Sequence, residues 1–251
     1  MTKVIMHGCS GKMGRMITEM IAADEEIEIV AGVDAFDDGR NTYPVFEHME
    51  LCDIYADAVI DFSNAKAVDA LLLYCTEKKM PCVLCTTGLS AEQLDKVNKA
   101  SEKTAILKSA NMSLGVNILL KLLKEAAGIL APAGFDIEIV EKHHSLKVDA
   151  PSGTALALAD SINEELNNEY EYVYDRSARS SGRPQKEIGI SAVRGGTIVG
   201  DHDVIFAGKD EVITFSHTAY SKAIFAKGAI QAAKFIAGKQ AGLYDMNDVI
   251  G

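Results

Sequence analysis

Apolar positions follow two alternating patterns through the first hundred residues. Short continuous apolar runs predict buried strands, and between them apolar side chains recur every three or four residues, which is typical of amphipathic helices. The predicted strands cover residues 3–7, 27–33, 58–62, 81–85 and 104–107, and the predicted helices cover 12–23, 66–79 and 90–103. This repeated alternation favours the α/β class, with a parallel sheet covered by helices on both faces.

The pattern changes in the second part of the chain. Helices are predicted at residues 115–130, 152–166 and 222–237, and an extended segment at 135–143. Three strand-like stretches, near 188–193, 197–206 and 210–217, are separated by glycine turns. This grouping predicts an α+β unit with an open sheet, and the polar segment 167–187 is expected to be an exposed loop.

The composition excludes several classes of protein. The chain has 251 residues, of which 48% are apolar and 24% charged, enough for one or two domains with a full hydrophobic core. Its net charge of −11 argues against nucleic acid as a partner, because phosphate binding needs clustered Lys and Arg. No apolar run reaches a membrane helix's length of about 18 residues, and the residues before Gly8 lack the long apolar stretch of a signal peptide. We therefore expect a cytoplasmic protein without a membrane partner.

Two of the five cysteines, Cys82 and Cys85, form a C-x-x-C sequence. A redox or metal pair and a buried strand are both compatible with this spacing. In a strand the two thiols would point to opposite faces, which suits chelation poorly, and no second C-x-x-C is present. We favour the buried strand, and we predict neither a disulfide framework nor a metal site.

Three glycines, Gly8, Gly11 and Gly14, lie between the first predicted strand and the first predicted helix. Glycines at such a turn let the backbone approach a pyrophosphate, which the free N–H groups of the helix N-terminus then bind. The more common G-x-G-x-x-G pattern would need glycine at Cys9, so the motif is a variant and an ordinary turn is the alternative. Asp34 supports a dinucleotide site, because it follows the second strand, 20 residues after Gly14, where an acid binds a ribose diol.

The choice between NADH and NADPH depends on the charges near Asp34. Its carboxylate would repel a 2′-phosphate, whereas Lys12 in the loop and Arg40, six residues after Asp34, could each reach a phosphate. We therefore expect NADH to be preferred, with NADPH as the alternative. Two further turns at strand ends, residues 86–88 and 109–112, are compatible with ligand contacts or with turn chemistry alone.

The densest group of polar residues lies between positions 141 and 154. Two histidines and two lysines fall within residues 142–147 and offer proton donors and positive charge. Gly153 and Thr154 begin a predicted helix, whose N–H groups and Thr hydroxyl would hold a carboxylate. A metal site at Glu141 and His143, or a solvated basic loop with a helix cap, are the alternatives. We favour acid–base chemistry on an anionic substrate, as hydride transfer followed by protonation.

Several segments, spread over nearly the whole chain, form a distinctive combination. They are GCSGKMGR at 8–15, DFS at 61–63, TTG at 86–88, ANMSLGVN at 110–117, EIVEKHH at 138–144, KVDAPSGTA at 147–155, VRGG at 193–196, VGDH at 199–202 and GLYDM at 242–246. In this combination the chain resembles the dihydrodipicolinate reductase family, also called 4-hydroxy-tetrahydrodipicolinate reductases, of lysine and diaminopimelate biosynthesis. The run H-H-x-x-K-x-D-A-P-S-G-T-A is the most specific part of the resemblance.

The resemblance implies reduction of a cyclic, conjugated imine dicarboxylate with NADH or NADPH, by hydride transfer to ring C4 and protonation of the resulting enamine. It assigns proton transfer to His143 and Lys147, and the substrate carboxylates to His144, Gly153 and Thr154. The residues that it places against the cofactor are Gly8, Cys9, Ser10, Gly11, Lys12 and Met13 at the pyrophosphate, Asp34 at the adenosine ribose, and Cys85, Thr86, Thr87, Ser109, Ala110, Asn111 and Met112 on the nicotinamide side.

The resemblance also implies a discontinuous organisation. A Rossmann-like, doubly wound dinucleotide-binding domain would comprise residues 1–112 and 222–251, and an inserted α+β domain, residues 113–221, would bind substrate and form a homotetramer. Closure of the domains around both ligands is a further expectation. The chain departs from the family at Cys85, where glycine is frequent, and at Ala35, near which NADPH-competent members can carry a basic residue. Another amino-acid-pathway dehydrogenase and a non-catalytic nucleotide-sensing module are the alternatives.

Overall fold

The computed structural model describes all 251 residues. The chain folds into two compact units, the first formed by Met1–Ser113 with Ala223–Gly251 and the second by Leu114–Lys222. The first unit is therefore built from two separate parts of the chain, and the second unit is inserted between them in sequence.

Helices and strands follow one another along the chain in three stretches. The first stretch contains β1 (Thr2–His7), α1 (Lys12–Ile21), β2 (Ile27–Val33), β3 (Val45–Phe46), β4 (Ala58–Asp61), α2 (Val68–Lys78), β5 (Cys82–Leu84), α3 (Ala91–Ser101) and β6 (Ala105–Leu107). The second unit contains α4 (Leu114–Leu130), β7 (Asp136–His143), α5 (Gly153–Glu165), β8 (Glu171–Val173), β9 (Glu187–Arg194), β10 (Gly200–Ala207) and β11 (Val212–Ala219). The chain then completes the first unit with α6 (Ala223–Ile236), β12 (Gly242–Tyr244) and α7 (Met246–Ile250).

The first unit contains a seven-stranded sheet in the order β12-β6-β5-β4-β1-β2-β3, in which every neighbouring pair is parallel. Its central strands are apolar on both sides because helices cover both faces. Ile5, Val59 and Ile106 belong to one buried cluster with residues of α2 and α3. Helix α6 packs on β4, β5 and β6, and α1 packs beside α6. The predicted Rossmann-like α/β fold is confirmed.

The order of the strands reverses between β1 and β4. From β1 the chain adds β2 and β3 on one side, and it then crosses to place β4, β5 and β6 on the other side. At such a switch point the loops after the two central strands diverge and leave a crevice at the carboxyl ends, where ligands of this fold class bind. Gly8 and Phe62, which directly follow β1 and β4, flank this crevice.

The second unit contains a five-stranded mixed sheet in the order β11-β10-β7-β9-β8. Strand β10 is antiparallel to β7 and β11, whereas β9 is parallel to β7 and β8. Helices α4 and α5 pack on one face, where Leu123, Leu158 and Phe206 belong to the same buried cluster. Along β7 and β10 buried and half-buried side chains alternate, so only this face of the sheet is fully buried.

The prediction of an exposed loop at residues 167–187 is wrong in part. Strand β8 lies within this segment and extends the sheet by pairing with β9. Arg176 and Arg183 reach back to Glu138 on β7, with N–O distances of 2.8 and 3.0 Å. A three-residue strand is too short to give a periodic pattern, and these ion pairs join residues far apart in sequence, so local polarity indicated only a loop.

Two helices begin at serines that cap them. Ser90 and Gln93 form a capping box at α3, and the Ser152 hydroxyl accepts the Ala155 N–H at 3.1 Å at the start of α5. Among the helices of the chain, none combines the length and apolar character that a membrane crossing requires.

Candidate active site

The turn after β1 requires glycine at two positions. Gly8 has φ +83°, and a Cβ on it would lie 2.6 Å from the Phe62 carbonyl oxygen. A Cβ on Gly14 would lie 2.2 Å from the Gly8 carbonyl oxygen, so α1 can approach β1 only with glycine there. Gly11 precedes α1 and provides no side-chain cap, which leaves the N–H groups at the start of this helix available to an anion.

The Asp34 carboxylate is held by the backbone on both sides. One oxygen accepts the Ser10 N–H at 3.0 Å, and the other accepts the Phe36 N–H at 3.1 Å. A cavity of about 430 Å³ at the carboxyl ends of the strands is lined by Gly8, Gly11, Asp34, Phe62 and Ser63, among others. The structure thus brings the glycine loop and Asp34 together at the switch point, where the sequence places them.

A buried polar network lies beneath this cavity, and sequence patterns gave no indication of it. Asp61 at the end of β4 is fully buried, and it accepts the Thr86 hydroxyl at 2.7 Å and the Ser63 N–H at 3.2 Å. Nδ1 of His7, which ends β1, lies 2.8 Å from the same carboxylate. Burial raises the pKa of Asp61, but the contacts with His7, Ser63 and Thr86 outweigh burial and lower it. The network joins the carboxyl ends of β1 and β4 to the segment after β5.

The remaining predicted residues of the pyrophosphate loop differ in how far they are exposed. Cys9 is fully buried, its Sγ lies 3.8 Å from Nδ2 of Asn41, and burial raises its pKa to about 11. Cys9 therefore offers a ligand its backbone only. Ser10 and Met13 are half-buried, and Lys12 is exposed.

Two other predicted cofactor segments follow neighbouring strands of the same sheet. The segment after β5 contains Cys85, whose pKa is raised by burial, the buried Thr86 and the exposed Thr87. The segment after β6 contains Ser109, Ala110, Asn111 and Met112, of which only Met112 is buried. Because the strands are parallel, both segments lie at the carboxyl edge that carries the glycine loop.

Glu141 is the centre of a charged cluster in the second unit. It is fully buried on the inner face of β7, and its carboxylate oxygens lie 2.7 Å from Nη1 and Nη2 of Arg194. It also accepts the Ser152 N–H at 2.9 Å, and its Oε2 lies 2.6 Å from Nδ1 of His143. Burial raises the pKa of Glu141, but the bonds from Arg194, His143 and Ser152 outweigh it and lower the pKa. Both oxygens thus accept hydrogen bonds from protein donors.

The two lysines of the predicted basic run lie in different environments. Lys142 is on the opposite face of β7 from His143, because side chains alternate along a strand, and its Nζ lies 2.8 Å from Asp203. The expectation that Lys142 contributes to the same anion site is therefore wrong. Lys147 is in the loop after β7, with Nζ 2.8 Å from an Asp149 carboxylate oxygen. Arg194 anchors this loop through the Asp149 carbonyl oxygen at 2.6 Å.

His202 belongs to the same cluster but was missed as a site residue in the sequence. Its ring centroid lies 5.2 Å from that of His143, and its Nε2 lies 2.9 Å from the Ser152 hydroxyl. Burial, with a smaller effect of nearby His143, lowers the pKa of His202 to about 4. A neutral imidazole therefore supports the serine that caps α5, the helix that begins with Gly153 and Thr154. The pairing of β10 with β7 brings His202 here, and no local pattern could have revealed it.

A second cavity, of about 470 Å³, lies within the second unit near the end of β7. His144, Ser145 and Leu146 line one side of it, and Gly196 and Thr197 line another. His144, which is predicted to contact substrate, is half-buried at this cavity, and Gly153 is exposed at the start of α5.

Comparison with known proteins identifies the family. The sequence matches the family model "Dihydrodipicolinate reductase, N-terminus" over residues 2–112 and "Dihydrodipicolinate reductase, C-terminus" over residues 115–250. The chain belongs to the dihydrodipicolinate reductase family. It is 51% identical to the 4-hydroxy-tetrahydrodipicolinate reductase of Caldanaerobacter subterraneus and 49% identical to that of Clostridium novyi. Each alignment covers 100% of this chain and 98% of the relative.

Solved structures agree on the fold. Dipicolinate-bound dihydrodipicolinate reductase from Paenisporosarcina sp. TG-14 superposes with a TM-score of 0.83, at 24% identity and with 100% of both chains covered. A probable dehydrogenase from Thermotoga maritima gives a TM-score of 0.61 at 13% identity, over 98% of this chain and 92% of that one.

Three of the predictions made from the sequence are thereby confirmed. The resemblance to this family holds, the protein is an oxidoreductase, and its reductase function lies in lysine and diaminopimelate biosynthesis at the level of the family. The roles of individual site residues stay predictions.

Proposed function

We propose that this chain reduces 4-hydroxy-tetrahydrodipicolinate to tetrahydrodipicolinate with a nicotinamide nucleotide, and that it prefers NADH to NADPH. The observation that carries the proposal is the cluster in the second unit. There a buried carboxylate at Glu141 holds both His143, a proton donor, and the N–H of Ser152, the residue that caps α5. The Glu141 carboxylate therefore positions both a proton donor and a helix N-terminus that can bind a substrate carboxylate.

The first unit fits a dinucleotide. Its glycine turn excludes side chains at Gly8 and Gly14, the start of α1 is uncapped, and Asp34 is fixed at the cavity of about 430 Å³. Residues 8–13 would hold the pyrophosphate through backbone N–H groups, and Asp34 would accept hydrogen bonds from the adenosine ribose. The segments containing Thr86 and Asn111 would line the nicotinamide. The bound nucleotide supplies the hydride.

The second unit fits the dicarboxylate. The N–H groups of Gly153 and Thr154 at the start of α5, together with the Thr154 hydroxyl, would bind one substrate carboxylate. His144, at the second cavity, would contribute to carboxylate binding. This division of labour assigns dinucleotide binding to residues 1–112 and 222–251, and substrate binding to residues 113–221.

Protons complete the reduction. Loss of the 4-hydroxyl as water gives a conjugated imine, whose ring C4 accepts the hydride, and the enamine that results takes up one proton. His143 and Lys147 would provide this proton transfer, with Glu141 orienting His143 and Asp149 positioning Lys147. Two electrons and two hydrogens are then accounted for by one hydride and one proton.

We also propose a homotetramer formed through the second unit. One face of its sheet is only half-buried along β7 and β10, and β11 is an exposed edge on which Val212 and Ile213 are 61% and 37% accessible. Open sheet surfaces of this kind require a partner, and a symmetric assembly of identical chains supplies one. The molar mass in solution tests this proposal, because a monomer would contradict it.

A coupled assay tests the proposed reaction. The substrate is generated enzymatically from pyruvate and aspartate semialdehyde, and the loss of nicotinamide absorbance is followed with NADH and with NADPH. We expect oxidation that requires both precursors and has a higher kcat/KM for NADH. Absence of cofactor oxidation would refute the proposed reaction, and omission of pyruvate provides the control for direct reduction of the semialdehyde.

A further inference from the structure

Arg15 and Arg40 share one carboxylate, that of Asp38. Oδ2 of Asp38 accepts a hydrogen bond from Nη2 of Arg15 at 2.7 Å and lies 3.4 Å from Nε of Arg40. The Asp38 side chain is 15% exposed, whereas those of Arg15 and Arg40 are 45% and 75% exposed. Asp38 is therefore the sheltered partner of two guanidinium groups that face solvent.

This group of three joins α1 to the segment that follows Asp34. Asp34 is tied to the loop through the Ser10 N–H and to its own segment through the Phe36 N–H, and Asp38 follows four residues later. Arg15 is in the first turn of α1, directly after Gly14. The start of α1 and residues 35–40 adjoin the two backbone contacts of Asp34, and they therefore contribute charged groups close in sequence to the residues that hold the proposed ribose contact.

We infer that Asp38 is a specificity-determining residue, which favours NADH over NADPH by withholding Arg15 and Arg40 from a 2′-phosphate. The inference rests on the proposed function. Guanidinium groups bind carboxylate and phosphate through the same forked geometry, so Asp38 and a 2′-phosphate compete for the same donors. A phosphate there would also face the carboxylates of Asp34 and Asp38 without an unengaged arginine to offset them.

Asp37 provides a matched control. It is adjacent in sequence and carries the same charge, but its carboxylate accepts the Gly39 N–H at 2.9 Å instead of a guanidinium. Asp37→Asn therefore removes one negative charge without releasing an arginine. Asp38→Asn removes the same charge and also releases two arginines. The difference between the two variants therefore measures the effect of the released arginines on nucleotide binding.

Nucleotide binding to the full chain tests the inference without any turnover. The nicotinamide fluorescence of NADH and of NADPH is titrated with the original chain, Asp38→Asn, Asp37→Asn and the double variant Asp38→Asn/Arg40→Ala. We expect Asp38→Asn to tighten NADPH binding about tenfold and to change NADH binding less than about twofold. Asp37→Asn should tighten NADPH binding less than about threefold, and the double variant should lose much of the gain.

Three other outcomes are possible, and each contradicts the inference alone or the inference together with the proposed function. If NADH binds and Asp38→Asn leaves the ratio of the two dissociation constants unchanged, the inference fails and the proposed function stands. If Asp37→Asn changes the ratio as much as Asp38→Asn, the effect is one of general charge and the inference also fails. If the original chain binds neither nucleotide, the proposed function fails together with the inference. The Arg15–Asp38 pair is partly exposed and contributes little to stability, and Asp38→Ala provides a second variant.

Discussion

The imidazole of His143 and the carboxylate of Glu141 project from the same face of β7, with Nδ1 2.6 Å from Oε2. The carboxylate is fixed in turn by Arg194 and by the Ser152 N–H. A carboxylate so placed accepts a hydrogen bond from Nδ1–H and sets the orientation of the ring. A Cβ on residue 200 would lie 3.0 Å from Nε2, so Gly200 leaves room beside the other ring nitrogen.

Glu141→Gln should therefore impair proton transfer while preserving side-chain volume. We expect kcat to fall about 10²-fold, because His143 loses the charge that orients its ring. The KM values and the dissociation constant of the nucleotide should stay unchanged, which a general loss of structure would not allow. Steady-state kinetics, with nucleotide binding measured separately, checks both expectations.

Glu138→Gln is the matched control for this variant. Glu138 lies on the same strand and also binds arginines, Arg176 and Arg183, but on the opposite face of β7. Its replacement should leave kcat within about twofold of the original value. Equal losses of kcat in the two variants would show that loss of any buried or half-buried charge on β7 is sufficient, and would contradict the orienting role of Glu141.

Lys147→Ala should separate chemistry from cofactor binding. If Lys147 delivers a proton, its loss should lower kcat about 10²-fold or more, with the dissociation constant of NADH unchanged. Lys142→Ala removes the same side chain five residues earlier, where it points to the other face of β7 and pairs with Asp203. Normal turnover by Lys147→Ala, or an equal loss in Lys142→Ala, would refute the assignment.

The sequence allowed most of the first unit to be predicted because its buried strands are continuous apolar runs and its helices are long enough to show their period. The predicted strand at residues 27–33 is β2 without any change, and the helix expected after the glycine turn is α1. The two- and three-residue strands β3 and β12 were missed, since neither contains a fully buried residue, whereas the similarly short β5 and β6 are runs of buried apolar residues.

The candidate site was predictable where its residues are contiguous and not where strand pairing assembles it. His143, His144 and Lys147 stand within one short segment, so a run of polar residues revealed them. Arg194 and His202 come from β9 and β10, which pair with β7 on both sides. Their contacts with Glu141 and Ser152 span 53 and 50 residues of sequence. No local sequence pattern encodes the pairing of strands that lie so far apart in the chain.

Asp34→Ala tests the ribose contact. A hydrogen bond to a charged group contributes about 1.5–3 kcal/mol, so NADH binding should weaken at least about tenfold. NADPH should be affected less, because loss of this carboxylate also removes repulsion of a 2′-phosphate. The ratio of kcat/KM for the two nucleotides therefore shifts toward NADPH. An unchanged ratio would exclude Asp34 from the ribose site.

A pair of glycine variants tests the close packing of the turn. A Cβ on Gly14 would lie 2.2 Å from the Gly8 carbonyl oxygen, whereas a Cβ on Gly11 would lie 3.3 Å from the same atom. Gly14→Ala should therefore cost about 1–3 kcal/mol of unfolding free energy, the usual range for overpacking. Gly11→Ala should be much less destabilising. Denaturant midpoints give the comparison, and equal midpoints for the two variants would show that the turn relaxes freely.

His202 should make stability depend on pH in a defined direction. Burial holds its pKa at about 4 in the folded chain, below the ordinary value of 6.5. The unfolded chain therefore binds a proton near pH 6.5 that the folded chain takes up only near pH 4, so stability falls as the pH drops between these values. From pH 7 to pH 5 the loss amounts to about 2 kcal/mol from this group.

His202→Gln should reduce that dependence, because glutamine cannot take up a proton in either state. The half-buried His217, opposite His202 on β11, also has a pKa lowered by burial and should leave a smaller slope in the variant. His48→Gln is the control, since the His48 side chain is 57% exposed. Denaturant unfolding at pH 7, 6 and 5 measures the slope. If the slope of unfolding free energy against pH is unchanged in His202→Gln, His202 is already protonated at pH 5 in the folded chain. The Ser152 cap of α5 would then contact a charged histidine.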